Sequence, residues 1–508
     1  MNKYLFLAVA IASLIVSISA ILAQEAPLQG KPAESLQDIV KKKDVLAVKK
    51  AVDALVQQNN LLSLSALSNA IVSLGDSPDI EIYWTIMCGM AALTNEEVMS
   101  KTADFIVQHK DDKYGKSLLA AWRSNQSPLK PALLKGIKDK LSGEMLEECI
   151  RQLDNKLVKI IDKDAKSIRA YRDLKIVQGL DKDKIIVVRN DICDENIKKA
   201  GGKDAKGNQL FDGNFDRIQD VLTELGIPHT LIGKSELEKD TYLLADKWML
   251  IFNCSYFRYH CCNPEHIKLY NPDIKRKDIR LLVCPGSEPH IIHSSKLSDK
   301  AIKKIKVFME SGGYLFTENW QIEEIIERAF KGTIASTKFL PEKTVKIAPY
   351  PGEVLHPYLK YVFEVPPVQI DLVDSTGMTK TLIPGTFYSE AQWKIDKQSP
   401  NIKVLKNDKV TILIASQELA KKEQNEGAVA VTFPVKRETD KSSQGEQVLH
   451  IMGRLAKFSV VQSMGYDKID MTVGQKNIAD EFTLQNLLVN FLEDCAARHQ
   501  AQKPSKGE

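Results

Sequence analysis

This chain has no excess of charge of one sign. Its 508 residues carry 70 Lys and Arg against 66 Asp and Glu, a formal net charge of +4, and the two signs are interspersed. No domain-wide field is available to draw in nucleic acid or acidic lipid, so nucleic-acid binding has no support. Short basic runs such as Lys41 to Lys43 read as solvated helix faces. After residue 23 there is no second apolar run long enough to cross a bilayer, which takes about 20 residues. Any membrane contact is therefore expected through the N-terminal segment alone. A Cys-x-x-Cys pair is absent, and with it the paired-cysteine signature of many zinc and redox sites. No fixed-period repeat consensus runs through the chain.

What is present begins at the N-terminus. Asn2 and Lys3 precede an uncharged, mostly apolar run from Tyr4 to Ala23, followed by Gln24, Glu25 and a proline-containing stretch. That is the layout of a secretory signal peptide with a cut after Ala23. The run is also long enough to stay as an N-terminal membrane anchor. Either outcome places the bulk of the protein outside the cytoplasm, in a bacterial periplasm or a comparable compartment. The remaining composition, 44% hydrophobic and 27% charged, is that of a globular chain of two or three domains.

Residues 24–35 read as a flexible linker and residues 36–175 as a helical, repeat-like domain. Val45, Val48, Ala51, Val52 and Leu55 recur at the spacing of one helix face, and similar stripes return at Ala66 to Leu74, Ile86 to Leu93, Val98 to Val107 and Leu118 to Trp122. Thr94 with Glu97 reads as a capping box, Asp76 to Pro78 and Ser127-Pro128 as breaks, and the lysine-rich stretch from Lys156 to Lys175 as a further helix. The helix, turn, helix units resemble HEAT-like α-solenoid repeats, which implies a surface for a protein partner. A plain helical domain packed on its neighbour is the alternative.

From residue 180 to 497 strands alternate with helices. Lys184 to Val188, His229 to Ile232, Trp248 to Asn253 and Tyr314 to Phe316 read as strands. Asn214 to Leu225 and Ser298 to Met309 read as helices, the second ending in Ser311-Gly312-Gly313. This predicts an α/β fold with a doubly wound, mostly parallel sheet behind the all-α region. Residues 335–410 suggest an extended edge or a small β-rich elaboration, and His356 before Pro357 a loop residue. Leu484, Leu487, Leu488, Phe491 and Leu492 give a closing amphipathic helix, and 498–508 a disordered tail.

The strand ending near Cys254, the segment LSDKAIKKIKVFMESGGYLFTEN, and the later AVAVTFPVK and EQVLHIMGRL together resemble the class I glutamine amidotransferase-like fold. Among its members they are most similar to trehalose-utilisation-type and related exported bacterial domains, in which a late strand ends in His-x-x-Gly. The resemblance implies a nucleophilic cysteine on a Gly-x-Cys-x-Gly elbow and a His-x-Glu pair. This chain departs on both counts, with Phe252 and Tyr256 flanking Cys254 and Met452 two residues after His450. Glutamine hydrolysis is not expected.

Two sets of candidate site residues remain. A doubly wound sheet holds ligands at the carboxyl ends of its strands, where Asn190, Asp191, Cys254, Glu318 and Asn319 are expected; the alternative is that they only end strands and cap helices. The second set is a crowd: four of the eight cysteines and four of the nine histidines fall between Cys254 and His293. Cys254, His260, Cys262, His266, Cys284, His290 and His293 are donors suited to zinc or iron, with Cys261 and Glu288 close by. Disulfides such as Cys254 with Cys261 or Cys262 with Cys284 are the rival explanation outside the cytoplasm. The aromatic and basic insertion Ser255 to Arg280 reads as folding onto the sheet or as a recognition surface. Together these features lead us to expect an exported, non-catalytic binding or assembly protein of the cell envelope. A metal- or cysteine-dependent hydrolase is the alternative, and an extracytoplasmic metal carrier a third reading.

Overall fold

The structure, a computed structural model, describes residues 35–75, 78–154, 156–161, 172–189, 218–253, 260–261, 292–293, 296–374, 377–395, 399–405, 408–423, 425–435, 446–453 and 480–501. The expected signal or anchor segment, the expected linker before Ser35 and most of the Cys254 to His293 stretch lie outside these residues. Among the described residues no helix is long and apolar enough to cross a membrane.

The N-terminal region folds as the apolar stripes require. Its helices are α1 (Leu36–Lys41), α2 (Val45–Gln58), α3 (Leu61–Ser73), α4 (Ile80–Ala92), α5 (Glu96–Gln108), α6 (Lys113–Ala121), α7 (Lys130–Lys138) and α8 (Gly143–Asp154). Asx and serine side chains start most of them: Ser35, Asp44, Asn60, Asp79, Asn95 and Asp112 each accept a hydrogen bond from the first-turn backbone. The cap of α5 is thus Asn95, one residue beyond the expected Thr94, because its carboxamide oxygen reaches both Glu97 N and Val98 N. Helix α4 is buried on nearly every side, as a helix sandwiched between two layers must be.

The expected helix over Lys156 to Lys175 does not form at its start. Val158–Ile161 is a strand, paired in parallel with Val368–Asp374, which in turn pairs antiparallel with Gly377–Ile383. A short helix follows at Lys175–Gln178.

Among the described residues the main sheet has nine strands: β1 (Ile185–Arg189), β2 (Thr230–Gly233), β3 (Met249–Phe252), β4 (Tyr314–Glu318), β5 (Lys343–Pro349), β6 (Ala391–Ile395), β7 (Thr411–Ala415), β8 (Ala428–Phe433) and β9 (Val448–Ile451). Their order is β6-β5-β7-β8-β9-β4-β3-β1-β2. The run β2-β1-β3-β4-β9 is parallel throughout, and β9-β8-β7-β5-β6 is antiparallel. The parallel half therefore has the flavodoxin-like order in which the chain leaves β1 to one side and returns past it to β3. With right-handed crossovers, helix α9 (Ile218–Leu225), before β2, and helix α10 (Asp299–Glu310), before β4, lie on opposite faces. Strands β1, β3, β4, β8 and β9 are accordingly almost wholly buried.

The glycine turn after α10 has a steric reason. Gly312 takes φ +97°, and a Cβ on Gly313 would sit 2.3 Å from the Phe308 ring. The last helix, α11 (Asp480–Ala501), packs Leu487, Leu488, Phe491 and Leu492 into the core. It runs three residues past the expected start of the tail at 498, because Arg498 is anchored by Asp494 and by the carbonyl of Glu446.

The helical region and the sheet share one apolar core running from Leu36 to Ala496. Trp84 of α4 donates to Pro349 O at the end of β5 (2.8 Å) and packs against Phe387. Gln417 Oε1 accepts from Ile80 N (2.7 Å), and Lys421 pairs with Asp79 (3.0 Å). Four buried or half-buried charges close the junction. Arg123 reaches Glu148 (2.6 Å) and Glu364 (3.0 Å), and Arg151 bonds both carboxylates as well. Burial alone would raise the Glu364 carboxyl, but Arg123 and Arg151 beside it hold it below the ordinary range.

A second buried pair ties the parallel strands together. Lys234, next after β2, places Nζ 2.7 and 2.8 Å from the two oxygens of Glu324, which follows β4, and Glu324 also accepts from Leu297 N. Both side chains are essentially inaccessible, at 1% and 0%. Lys234→Met leaves a buried carboxylate without its cation and is expected to cost about 3–5 kcal/mol in denaturant unfolding. The double change with Glu324→Leu should recover most of that loss. A double variant no more stable than Lys234→Met alone would show that the pair is not what the charge burial makes of it.

Candidate functional site

The carboxyl ends of β1, β3, β4 and β9 form one edge, and the described residues gather buried polar groups there. Asn253 follows β3 at the point where β1 and β3 diverge in connection. Its backbone N–H continues the ladder to Val188 O (3.0 Å), its Oδ1 accepts from Ile218 N at the start of α9 (3.0 Å), and its Nδ2 donates to Gln219 Oε1 (2.7 Å). Asn253 thus fastens a helix start to the sheet edge.

On the neighbouring strand the chain turns sharply from β4 into a helical segment that begins at Ile322. Glu318 closes the strand and Asn319 makes the turn with φ +51°, a left-handed conformation rare for a residue with a Cβ and most tolerable for asparagine. Asn319 N donates to Ile451 O (2.8 Å), which locks the turn to β9. The side chain is buried, yet among the described residues neither its Oδ1 nor its Nδ2 has a hydrogen-bond partner, and Gln321 Oε1 is likewise buried and unpartnered there. Gln321 Nε2 reaches Asn253 O at 3.4 Å.

His450 lies on β9 directly beside Thr317 of β4 in the register, and its Nδ1 is 2.9 Å from Thr317 Oγ1. Its Nε2 is buried and has no partner among the described residues. Burial pushes the imidazole down to about 3, so it is neutral at physiological pH. Met452, two residues on, is buried, and Gly453 takes φ +116° where a Cβ would lie 2.9 Å from Trp393 Nε1. The glycine of His-x-x-Gly is therefore demanded by the close approach of Trp393, whose indole donates to Met452 O (2.6 Å).

Of the expected ligand residues, Glu318 and Asn319 stand at this edge, Glu318 as the last residue of the strand. Asn190, Asp191 and Cys254 lie outside the described residues. So do the side chains of His260, Cys261, Cys262, His266, Cys284, His290 and His293. The backbone of His260–Cys261 pairs antiparallel with Ile292–His293 and sets His260 opposite His293. Among the described residues no group of three or more His, Cys, Asp or Glu is placed to hold a metal. The described cysteines, Cys88, Cys149 and Cys495, are free thiols. His356 is a loop residue as expected: it caps the turn Pro357–Leu359 and its Nε2 lies 2.6 Å from Glu446.

The sequence showed no nucleophile elbow at Cys254, which lies outside the described residues. Among the described residues a strained strand-to-helix turn follows β4, and the residue on it is an amide. Asn253, Thr317 and Gln321 joined the edge without a sequence signal, since each reads as an ordinary strand-end or helix-start polar residue.

The neutral state of His450 has a consequence for stability. Its folded value lies well below the ordinary 6.5, so the unfolded chain binds a proton that the folded chain refuses. The stability it permits is intact above about pH 6.5 and falls by roughly 1.4 kcal/mol per unit as the pH drops toward 3. Urea unfolding of the whole chain at pH 7.5, 6 and 5 should show this slope, and His450→Asn should flatten it. Equal slopes in the two proteins would contradict a neutral buried imidazole.

No protein-family model and no curated protein matches the chain. Among solved structures, a glutamine amidotransferase from Thermotoga maritima aligns with 62% of this chain and 99% of its own, at 7% identity and a TM-score of 0.29. A glutamine amidotransferase from Methylobacillus flagellatus aligns with 64% of this chain and 96% of its own, at 8% identity and a TM-score of 0.27. An exo-β-1,4-mannosidase from Opitutaceae bacterium strain TAV5 aligns with 77% of this chain at 7% identity and a TM-score of 0.26, and this chain spans 53% of its length. The strand order and pairing of the sheet carry the fold assignment: a mixed α/β protein with a largely parallel central sheet and an N-terminal helical region.

Proposed function

We propose that this chain is an exported, non-catalytic binding or assembly protein of the cell envelope, built on an amidotransferase-like domain of the trehalose-utilisation type. The observation that carries this reading is Asn319. The strained turn at the carboxyl edge of the sheet presents a carboxamide with both polar atoms unpartnered among the described residues, and no nucleophilic side chain stands on it. An amide offers a donor and an acceptor to a bound polar group and no lone pair basic enough to attack a carbonyl. The adjacent His450 is buried and neutral, and Met452 stands where an orienting carboxylate would be required. Export rests on the N-terminal run from Tyr4 to Ala23. A role for the HEAT-like helical layer in holding a protein partner is supported by the exposed Leu46, Leu61, Leu62 and Val72.

A second reading, a metal- or cysteine-dependent hydrolase or a metal carrier, is favoured by the crowd of donors between Cys254 and His293 and by the register that sets His260 opposite His293. Zinc or iron are the metals its donors suit.

Purified from the envelope fraction of its host, the chain should release no ammonia from glutamine and should begin at Gln24, or at its original N-terminus if the anchor is kept. Ammonia release that disappears in His450→Asn would overturn the non-catalytic reading. Elemental analysis of the same preparation separates the second reading: about one zinc or iron per chain, lost in Cys262→Ser with His290→Ala, would put it first.

A further inference from the structure

A cavity of about 870 Å³ lies between the helical layer and the antiparallel end of the sheet. Asn253, Asn319, Gln321 and His450 do not line it, so it is separate from the edge described above. One wall is α2 and α4; the other is β5, β6, the segment Phe387–Glu390 and the helix start at Gln417. The volume stays open because the lining positions nearest the junction are small, with Ala91, Ala121, Ala348, Ala391 and Ala415 among them. Its size falls within the roughly 300–1,000 Å³ of small-molecule sites, which favour such junctions between structural units.

The lining has two chemical characters. Trp84 and Phe387 form a buried aromatic backing to the wall, 2% and 8% exposed, their ring centroids 5.1 Å apart, and Trp84 is fixed in place by its hydrogen bond to Pro349 O. Tyr388 lines the cavity next to them. The charges are unbalanced: the carboxylates of Asp53, Glu81, Glu390 and Glu418 face two ammonium groups, Lys49 and Lys346, with no Arg or His in the lining. Both lysines are already engaged, Lys49 with Glu81 and Lys346 with Glu390, each at 3.1 Å. Glu418 has Lys343 at 3.6 Å. Asp53 has no cation within ion-pair reach among the described residues and is exposed to the opening. A concave site with low-dielectric walls and surplus carboxylate concentrates positive charge.

We propose that this cavity binds a small organic cation with a flat apolar body, an aromatic amine or an amine-headed amphiphile. The body lies against Tyr388, the half-buried aromatic of the lining that Trp84 and Phe387 back, and the ammonium group toward Asp53. Aromatic faces add a cation–π attraction to the carboxylate's pull, and the alanine floor excludes water from the body.

Isothermal titration of the whole chain with tryptamine, and with indole-3-propionate as an anion of similar shape, tests this. Tryptamine should bind at least about tenfold more tightly than the anion. Asp53→Asn, at an exposed position, should weaken tryptamine about five- to tenfold, and Ala391→Phe, which fills the cavity, should abolish binding while the circular dichroism spectrum is retained. If Ala391→Phe fails to fold, Asp53→Asn and the amine-to-anion comparison decide the matter. No binding of tryptamine at millimolar concentration, equal binding of the anion, or an affinity unmoved by Asp53→Asn would each overturn the assignment.

Discussion

The constraint on which the rest of this structure depends is that the antiparallel end of the sheet must be covered, and the helical region is what covers it. Strands β5 and β7 carry apolar residues that would otherwise meet water, and α4 is apolar on nearly every side. Each supplies the surface the other lacks. Trp84, inserted between them and bonded to Pro349 O, fixes the spacing, and the Arg123, Glu148, Arg151 and Glu364 network seals the far end. Charges buried this far from water are tolerable only as a fully paired set, so the network holds helix and sheet in one geometry. The two regions that the sequence separates by composition are thus one folding unit by packing.

That rigidity is what makes the ligand edge intelligible. A left-handed asparagine and four unpartnered buried polar atoms, two on Asn319 and one each on Gln321 and His450, carry costs of about 1–3 kcal/mol each; other such atoms are scattered through the fold, but these four form a group. They occur side by side at the carboxyl ends of β4 and β9, braced by Asn319 N to Ile451 O and by Thr317 to His450. Functional sites are where local rules are broken and the surrounding scaffold compensates. The Lys234–Glu324 pair and the cap that Asn253 places on α9 are the compensating contacts nearest in the chain to that edge.

Much of the architecture was legible because periodicity and punctuation are local. The stripes of α2 to α6, the alternation of strands and helices, the Gly312-Gly313 turn and the glycine three residues after His450 all announce themselves within a few residues. What was not legible depends on partners distant in sequence. Val158–Ile161 reads as helix by its lysines and becomes a strand because Val368–Asp374 offers it a ladder. Arg123, Glu148, Arg151 and Glu364 look like four solvated charges until the fold brings them together. Asn319 was legible as a candidate at the carboxyl end of its strand, but its left-handed turn was not, since nothing in a sequence reports a positive φ on asparagine.

The claim that helical region and sheet are one unit is tested most directly by hydrogen exchange followed by mass spectrometry along a denaturant series. Peptides from α4 and from β7 to β9 should lose protection at the same urea concentration, in a single cooperative step. If α4 exchanged fully while β8 and β9 stayed protected, the shared core would not be what holds the molecule together.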